Sequence, residues 1–465
     1  MSAIDTVLAA ADRDFDAARE RMFDLVRIPS VSTDPAHAGD CDRAAASIAA
    51  DLNAMGFEAA VRETPGRPMV VGHYTPKESG PETPHVLFYG HYDVQPADPL
   101  ELWKTPPFEP ALRQDADGVE RMYGRGVADD KGQLMTFVEA ARAWIAAAGG
   151  LPIRATFLIE GEEESGSPSL VPFLKENAAE LSCDAAFVCD SNMWDARTPA
   201  ITTRLRGLVH EEITITGPRI DLHSGMYGGP AINPIRVLTK LLAALHDKAG
   251  KVTLPGFYDG VLPLPKATAK QWGNLKFSDK KFLREVGLAQ PAGEKGKSVL
   301  EQIWARPTAE VNGIWGGYTG AGTKTVLPSQ AHAKLTFRLV GKQNPNKILK
   351  AFQKFAKSHI PKDCKIAFSG RGGGSPAMEI SENNPFIAKS ATALKEEFGR
   401  HTVLMGSGGS IPICRCFKDI LGMDSVLVGF GLNDDAIHSP NEKYNVESFR
   451  RGIRSWVRII GALAE

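Results

Sequence analysis

The 465-residue chain has only six cysteines, Cys41, Cys183, Cys189, Cys364, Cys414 and Cys416, and they show no framework spacing. This excludes a disulfide scaffold and predicts reduced thiols in a cytosolic protein. Cys414-Arg415-Cys416 has the spacing of a soft metal pair. Free cysteine is more often a buried structural residue, and that is the reading expected here. No apolar run approaches the roughly 20 residues that a membrane span needs. The first 32 residues carry acids and lack a basic region followed by an unbroken apolar one, so an amphipathic helix is expected there and not a signal peptide. The net charge is −1, which leaves no case for a nucleic-acid surface or a polybasic membrane anchor. There is no internal repeat and no low-complexity tract. With 43% hydrophobic and 23% charged residues the composition is that of a globular protein, with room for two or three domains.

Metal-type ligands are present, at the ends of apolar runs. They stand in HVLFYGHYDVQP (His91, Asp93), YGRGVADDKG (Asp129, Asp130), TFLIEGEEESGS (Glu163, Glu164), AAFVCDSN (Asp190) and VLVGFGLNDDAIHSPNE (His438). Open α/β sheets build their sites at the carboxyl ends of strands. Histidine and carboxylate without thiolate suit Zn²⁺, Mn²⁺ or Co²⁺ in a hydrolytic site better than a structural zinc.

Up to about residue 207 helices and strands alternate. Helices are expected near 5–26, 42–55 and in the Ala-rich stretch after Gly132, which ends at Gly149-Gly150. Strands are expected near 59–63, 69–74, 86–89, 153–159 and 185–189. This alternation predicts a largely parallel sheet with helices on its faces. From Gly207 the pattern changes to alternating strands (LVHEEITITG, AHAKLTFRLV, DCKIAFSG) and amphipathic helices (INPIRVLTKLLAALHD, NPNKILKAFQKFAKSH), a βαββαβ layout for an α+β insert. A basic stretch near 266–297 reads as solvated loop and helix. The αβ pattern returns near Asn384. The expected organisation is a catalytic domain of residues 1–207 and 384–465, interrupted by a smaller domain of residues 208–383.

His91 and Asp93 sit two apart at a strand end and so share a face. A ligand histidine needs a carboxylate on its other nitrogen, and Asp93 can supply it. In Glu162-Glu163-Glu164 one carboxylate can bind metal while a neighbour takes a proton from the attacking water. Asp129 or Asp130 can bridge two cations with its two oxygens, and Asp130 also stands where a helix N-cap is expected. Two imidazoles, three ligand carboxylates and a hydroxide balance two divalent cations, as a buried two-metal site requires. The residues alone permit a shift by one, to Asp130 or Glu162.

The ordered motifs GHYDVQP, YGRGVADDKG, EGEEESGSP, DLHSGMYGG, KTVLP, GGSIPI and IHSPNEK cover nearly the whole chain. In them it resembles the di-zinc metallopeptidases that include carnosinase, cytosolic non-specific dipeptidase, glutamate carboxypeptidase, succinyl-diaminopimelate desuccinylase and acetylornithine deacetylase. The dipeptidase and carnosinase branch is the nearest in motif. The resemblance implies a zinc-exopeptidase-like catalytic domain of mixed, largely parallel sheet, interrupted by a ferredoxin-like lid and dimerisation domain. It implies two divalent metal ions per subunit, zinc first, with manganese or cobalt as alternatives. Asp129 would bridge them. His91 and Asp190 would complete one metal site, and Glu164 and His438 the other. Glu163 would be the general base and Asp93 would orient His91. His223, reaching in from a second copy of the chain, would hold the oxyanion. Arg338, Thr325 and Ser410 would bind substrate, an arginine fork suiting a carboxylate. The alternative for Arg338 is an ion-paired strand residue. One departure stands out: Met405-Gly406-Ser407-Gly408-Gly409 replaces the Arg-Glu pair usual before Gly-Gly-Ser-Ile-Pro, which bears on side-chain preference and not on the metals.

The expected function is cytoplasmic, metal-dependent hydrolysis of dipeptides by a homodimer, with no nucleic-acid or membrane partner. An N-acyl amidohydrolase or carboxypeptidase with the same metal site is the first rival. A relative without activity, used for binding, is the second; it would have lost a ligand or the base, and none is lost.

Overall fold

The computed structural model describes residues 2–370, 374–409 and 411–465. The chain forms two compact units. The first comprises Met1–Thr203, Ile380–Met405 and Ile413–Glu465, and the second Arg204–Glu379 and Gly406–Pro412.

The first unit is built on a mixed sheet. Its strands run in the order Glu58–Arg62, Met69–Tyr74, Arg154–Glu160, His85–His91, Ala185–Val188, Ser425–Leu427 and Ala200–Leu205. The four from Arg154–Glu160 to Ser425–Leu427 are parallel to one another, and antiparallel pairs flank them on both sides. The parallel strands are mainly apolar and are buried on both faces, as a sheet covered by helices demands. The helix Lys131–Ala148 is buried over most of its surface and stops at Gly149, whose φ of 79° is left-handed. The C-terminal helix Val446–Ala464 packs against it. Phe88, Phe137, Phe157, Phe187 and Trp456 pack between sheet and helices, with ring centroids 5.1 Å apart for Phe137–Phe157 and 5.7 Å for Phe88–Trp456. Such aromatic pairs contribute about 0.5–1.5 kcal/mol each beyond the area they bury.

The single helix expected over residues 5–26 is two, Ala3–Arg13 and Phe15–Val26, broken at Asp14. Tertiary packing accounts for the break: Phe15 is buried against Phe449, 5.9 Å between centroids, and Arg21 reaches back to the Asp14 carboxylate. Periodicity alone does not register such a one-residue interruption.

The second unit has four main strands in the order Thr308–Gly316, Gln330–Leu339, Gly207–Thr216 and Lys365–Phe368, all antiparallel. Together with helices Pro234–Ala243 and Pro345–Ser358 they make the expected βαββαβ chain. Both helices start alike, with an asparagine N-cap (Asn233, Asn344) and proline at the first turn. Val209, Ile213, Phe337, Leu238 and Phe352 form the core between sheet and helices. The basic stretch holds two short helices, Lys266–Gly273 and Asp279–Glu285. No helix among the described residues is long and apolar enough to cross a membrane.

Candidate metal centre

Three adjacent parallel strands deliver side chains at their carboxyl ends. His91 is the last residue of His85–His91. Glu163 and Glu164 lie in the tight turn Glu163–Ser165 that follows Arg154–Glu160. Asp190 stands two residues beyond Ala185–Val188. Asp129 arrives from the loop before helix Lys131–Ala148, and His438 from the loop after Ser425–Leu427. His438 has a φ of 59°, a conformation that costs a non-glycine residue energy and is held only where the surroundings demand it.

Asp129 lies at the centre of the group. One of its oxygens, Oδ1, is 3.2 Å from His91 Nε2, and the other, Oδ2, is 3.0 Å from His438 Nε2. His438 Nε2 is also 3.3 Å from Glu164 Oε2. The donor atoms of His91, Asp129 and Asp190 lie within 4.8 Å of one another, as do those of Asp129, Glu164 and His438. Among the described residues these are the two groups with metal-holding geometry, and Asp129 belongs to both.

The surroundings fix these side chains. Asp93 is fully buried, and its Oδ1 is 3.3 Å from His91 Nδ1. The same carboxylate accepts from the backbone N–H groups of Glu163, at 3.2 Å, and Glu164, at 3.0 Å. One aspartate therefore sets both the ring of His91 and the turn that carries the glutamates. Asp130 occupies the N-cap position, yet its side chain makes no capping bond. Its Oδ2 accepts instead from the backbone N–H of His91, at 3.1 Å, where that donor would otherwise be buried alone. The approach is so close that a Cβ on Gly90 would lie 2.8 Å from Asp130 Oδ2. Glu162 is likewise committed, accepting from the backbone of Arg67 at 3.0 Å and of Ser169 at 3.1 Å. Of each acidic run, then, one member is tied to backbone, while Asp129, Glu163 and Glu164 remain for the site.

The electrostatics follow from crowding acids in a buried place. Burial works to raise the Asp129 carboxyl, but the neighbouring imidazoles of His438 and His91 hold it well below the usual range. Its partner His438 is pushed up to about 10 by Asp129 and then Glu164. Burial opposes charge on His91, but Asp129 and Asp93 outweigh it and the ring sits well above its ordinary value. Asp190 is raised to about 6, by burial first and then by Asp129. Glu163 is raised to about 8, chiefly by burial, with Asp190 and Glu164 adding to it against His91.

The donor set fits two divalent cations. His91 Nε2 is buried with no hydrogen-bond partner, although Asp129 is near. A lone nitrogen facing a shared carboxylate, in a cluster of three acids and two imidazoles, is what a cation would satisfy. The cysteines are not part of it: all six are free, and burial raises the thiols of Cys414 and Cys416.

Two supporting residues escaped the sequence reading. Glu442 is fully buried and accepts from Arg125 Nη1 (2.8 Å) and from the backbone N–H of Gly126, Ala128 and Asp129 (2.9, 2.9 and 3.1 Å). It thereby shapes the loop that presents Asp129. Gln95 Nε2 donates to Glu164 Oε2 at 2.8 Å. Both lie inside quoted motifs, four residues after His438 and four after His91, but nothing in their spacing distinguishes them from solvated polar residues.

Residues 87–462 match the peptidase family M20/M25/M40. The chain belongs to this family. It is 29% identical, over 99% of its length and 98% of the other's, to a Cys-Gly metallodipeptidase of Schizosaccharomyces pombe. It is 30% identical to the human Beta-Ala-His dipeptidase, over 83% of this chain and 76% of that one. The solved structure of the dipeptidase Dug1p from Saccharomyces cerevisiae superposes with a TM-score of 0.79 at 28% identity, covering 100% of this chain and 99% of the other.

The remaining predicted residues lie in the second unit. His223 pairs with Val326 in a two-stranded ribbon, and the Ser224 N–H donates to the Thr325 carbonyl at 2.9 Å, so His223 and Thr325 are neighbours. His223 is exposed, and its Nδ1 accepts from the Gly225 N–H at 3.0 Å. In the neutral ring that leaves the proton on Nε2, as a donor. Arg338 lies on Gln330–Leu339 opposite Leu208, half-buried and without an ion pair among the described residues. Ser410 lies outside the described residues.

Proposed function

We propose that the chain is a cytoplasmic, metal-dependent dipeptidase that hydrolyses short amides with a free carboxylate, acting as a homodimer through its second unit. The observation that carries this reading is the sharing of Asp129 between two three-donor clusters. His91 and Asp190 would hold one ion and Glu164 and His438 the other, zinc being the first choice for such a nitrogen and oxygen set. The chemistry such ions would supply, when bound, is a lowered pKa for a water and polarisation of the scissile carbonyl.

The protein residues then have separate tasks. Glu163 takes the proton of the attacking water and returns it to the leaving amine, its carboxyl being ionised once two cations are bound beside it. Asp93 keeps His91 aimed. His223, with its proton on Nε2, stabilises the oxyanion. Arg338, Thr325 and Ser410 bind the substrate, Arg338 taking its carboxylate. The dipeptidase names of the relatives support this choice over the deacylase.

The deciding experiment strips the protein of metal and reloads it with Zn²⁺ or Mn²⁺ before assay on free dipeptides, β-alanyl dipeptides and N-acetyl amino acids. Metal-dependent cleavage of free dipeptides, abolished in Glu163→Gln, is the expected result. Cleavage of N-acyl substrates alone would move the protein to the deacylases.

A further inference from the structure

Arg206 immediately precedes the strand Gly207–Thr216, and Arg338 pairs with Leu208 of that strand. Side chains alternate, so Arg206, Leu208 and Arg338 share one face, opposite the apolar face of Val209 and Phe337. Diagonal neighbours across such a ladder stand roughly 7–8 Å apart at the backbone, within reach of two long side chains. Arg206 is pushed down to about 10, by burial first and then by Arg338, with Glu310, which pairs with Thr336 on the neighbouring strand, opposing.

Arg206 is held in place. Its backbone N–H donates to the Gly409 carbonyl at 3.0 Å and its Nε to the Gly408 carbonyl at 3.0 Å. The Nη groups remain as an open fork. A Cβ on Gly408 would lie 3.1 Å from Arg206 Nη2, so a residue without a side chain borders the fork. Among the described residues neither arginine forms an ion pair. Glu310 on the same face is exposed and forms no ion pair with either among the described residues, so two half-buried guanidiniums stand side by side without a buried counter-charge, which is costly. The charge count of the pair is +2, which two carboxylates neutralise and one does not.

We propose that Arg206 is a specificity-determining residue, which with Arg338 forms a two-guanidinium site for dicarboxylate substrates: short amides whose C-terminal residue is glutamate or aspartate. This rests on the reading above in which Arg338 receives the α-carboxylate; Arg206 then receives the side-chain carboxylate. Hydrolysis adds water across the amide bond and releases the free acidic amino acid.

The test compares kcat/KM for Ala-Glu and Ala-Gln in the metal-loaded enzyme. These substrates differ in one group, a carboxylate against a carboxamide. Wild type is expected to favour Ala-Glu by about tenfold or more, because an unpaired guanidinium rejects the neutral isostere. Arg206→Gln should bring the ratio close to one. Gly408→Glu, which leaves Arg206 in place and sets a carboxylate beside its fork, should do the same. A wild-type ratio near one, or a preference that survives both substitutions, overturns the proposal. If wild type cleaves neither these nor Ala-Ala, the dipeptidase reading fails, and equilibrium binding of glutarate against 4-carbamoylbutanoate decides the arginine site separately. Tighter binding of glutarate, lost in Arg206→Gln, supports it; equal binding overturns it.

Discussion

His91 and His223 are both imidazoles at strand ends, and the structure treats them in opposite ways. His91 closes a central parallel strand, is fully buried, and has a carboxylate near each ring nitrogen. His223 closes a two-residue strand, is exposed, and is held through Nδ1 by the N–H of Gly225. The same contrast runs through the two units. In the first, acids and imidazoles are packed so tightly that Glu163 is held above and Asp129 below the ordinary carboxylate range. In the second, the predicted substrate groups stand on a face that is open or half-buried. Ligands that must hold a cation are fixed in advance by buried bonds. Groups that meet a varying substrate are fixed through backbone contacts and keep donor atoms free.

The sharpest test of that contrast is Glu163→Gln. Removing the base without removing a donor should lower kcat by roughly 10²–10⁴-fold. Metal content, measured by elemental analysis, should stay at the wild-type level. Loss of metal instead would make Glu163 a ligand and break the separation of tasks.

His223→Ala should lower kcat by about 10²–10³-fold, the usual cost of one oxyanion donor. Because His223 is exposed, the thermal midpoint should be unchanged. A variant as active as wild type would remove His223 from the chemistry.

Asp93→Ala should weaken metal affinity by about 10–100-fold, read by chelator competition, since it frees both the His91 ring and the Glu163-Glu164 turn. Unchanged affinity would show that Asp93 serves folding alone.

The smallest effect is on pH-dependent stability. In chelator-treated protein, Glu163 held up at about 8 and Asp190 at about 6 keep protons that the unfolded chain has released. Their contribution is complete below the ordinary carboxylate range and is lost as pH rises to about 8. His438, held up at about 10, acts in the same direction, its contribution complete below the ordinary imidazole value and lost as pH rises toward 10. The thermal midpoint of stripped protein should therefore fall between about pH 5 and pH 8, and the gain on adding Zn²⁺ should grow over that interval. A metal increment that is flat with pH would mean these carboxylates do not meet the ion.

The strands of the first unit were legible because each is a short apolar run with a sharp end, and the ligands stand at those ends. The βαββαβ order of the second was legible from alternating strands and two amphipathic helical stretches. The break at Asp14 was not, because it answers to Phe15 and Arg21 finding distant partners. Nor was the capping role expected for Asp130 correct, because a helix start seen in sequence carries no information about the buried N–H of His91 beside it. Glu442 was missed for the same reason: its four partners lie more than 300 residues away along the chain.

The sequence by itself determined which residue types stand at which strand ends, and hence a histidine and carboxylate chemistry without thiolates. It left open which member of each acidic run faces the site. Tertiary structure set the orientations, turning Glu162 and Asp130 to backbone donors and leaving Asp129 between two imidazoles. The physical reason is that a strand's hydrophobic pattern is local and fixes where an element ends. Where a carboxylate points depends on which buried donor most needs it, and that donor comes from another part of the chain.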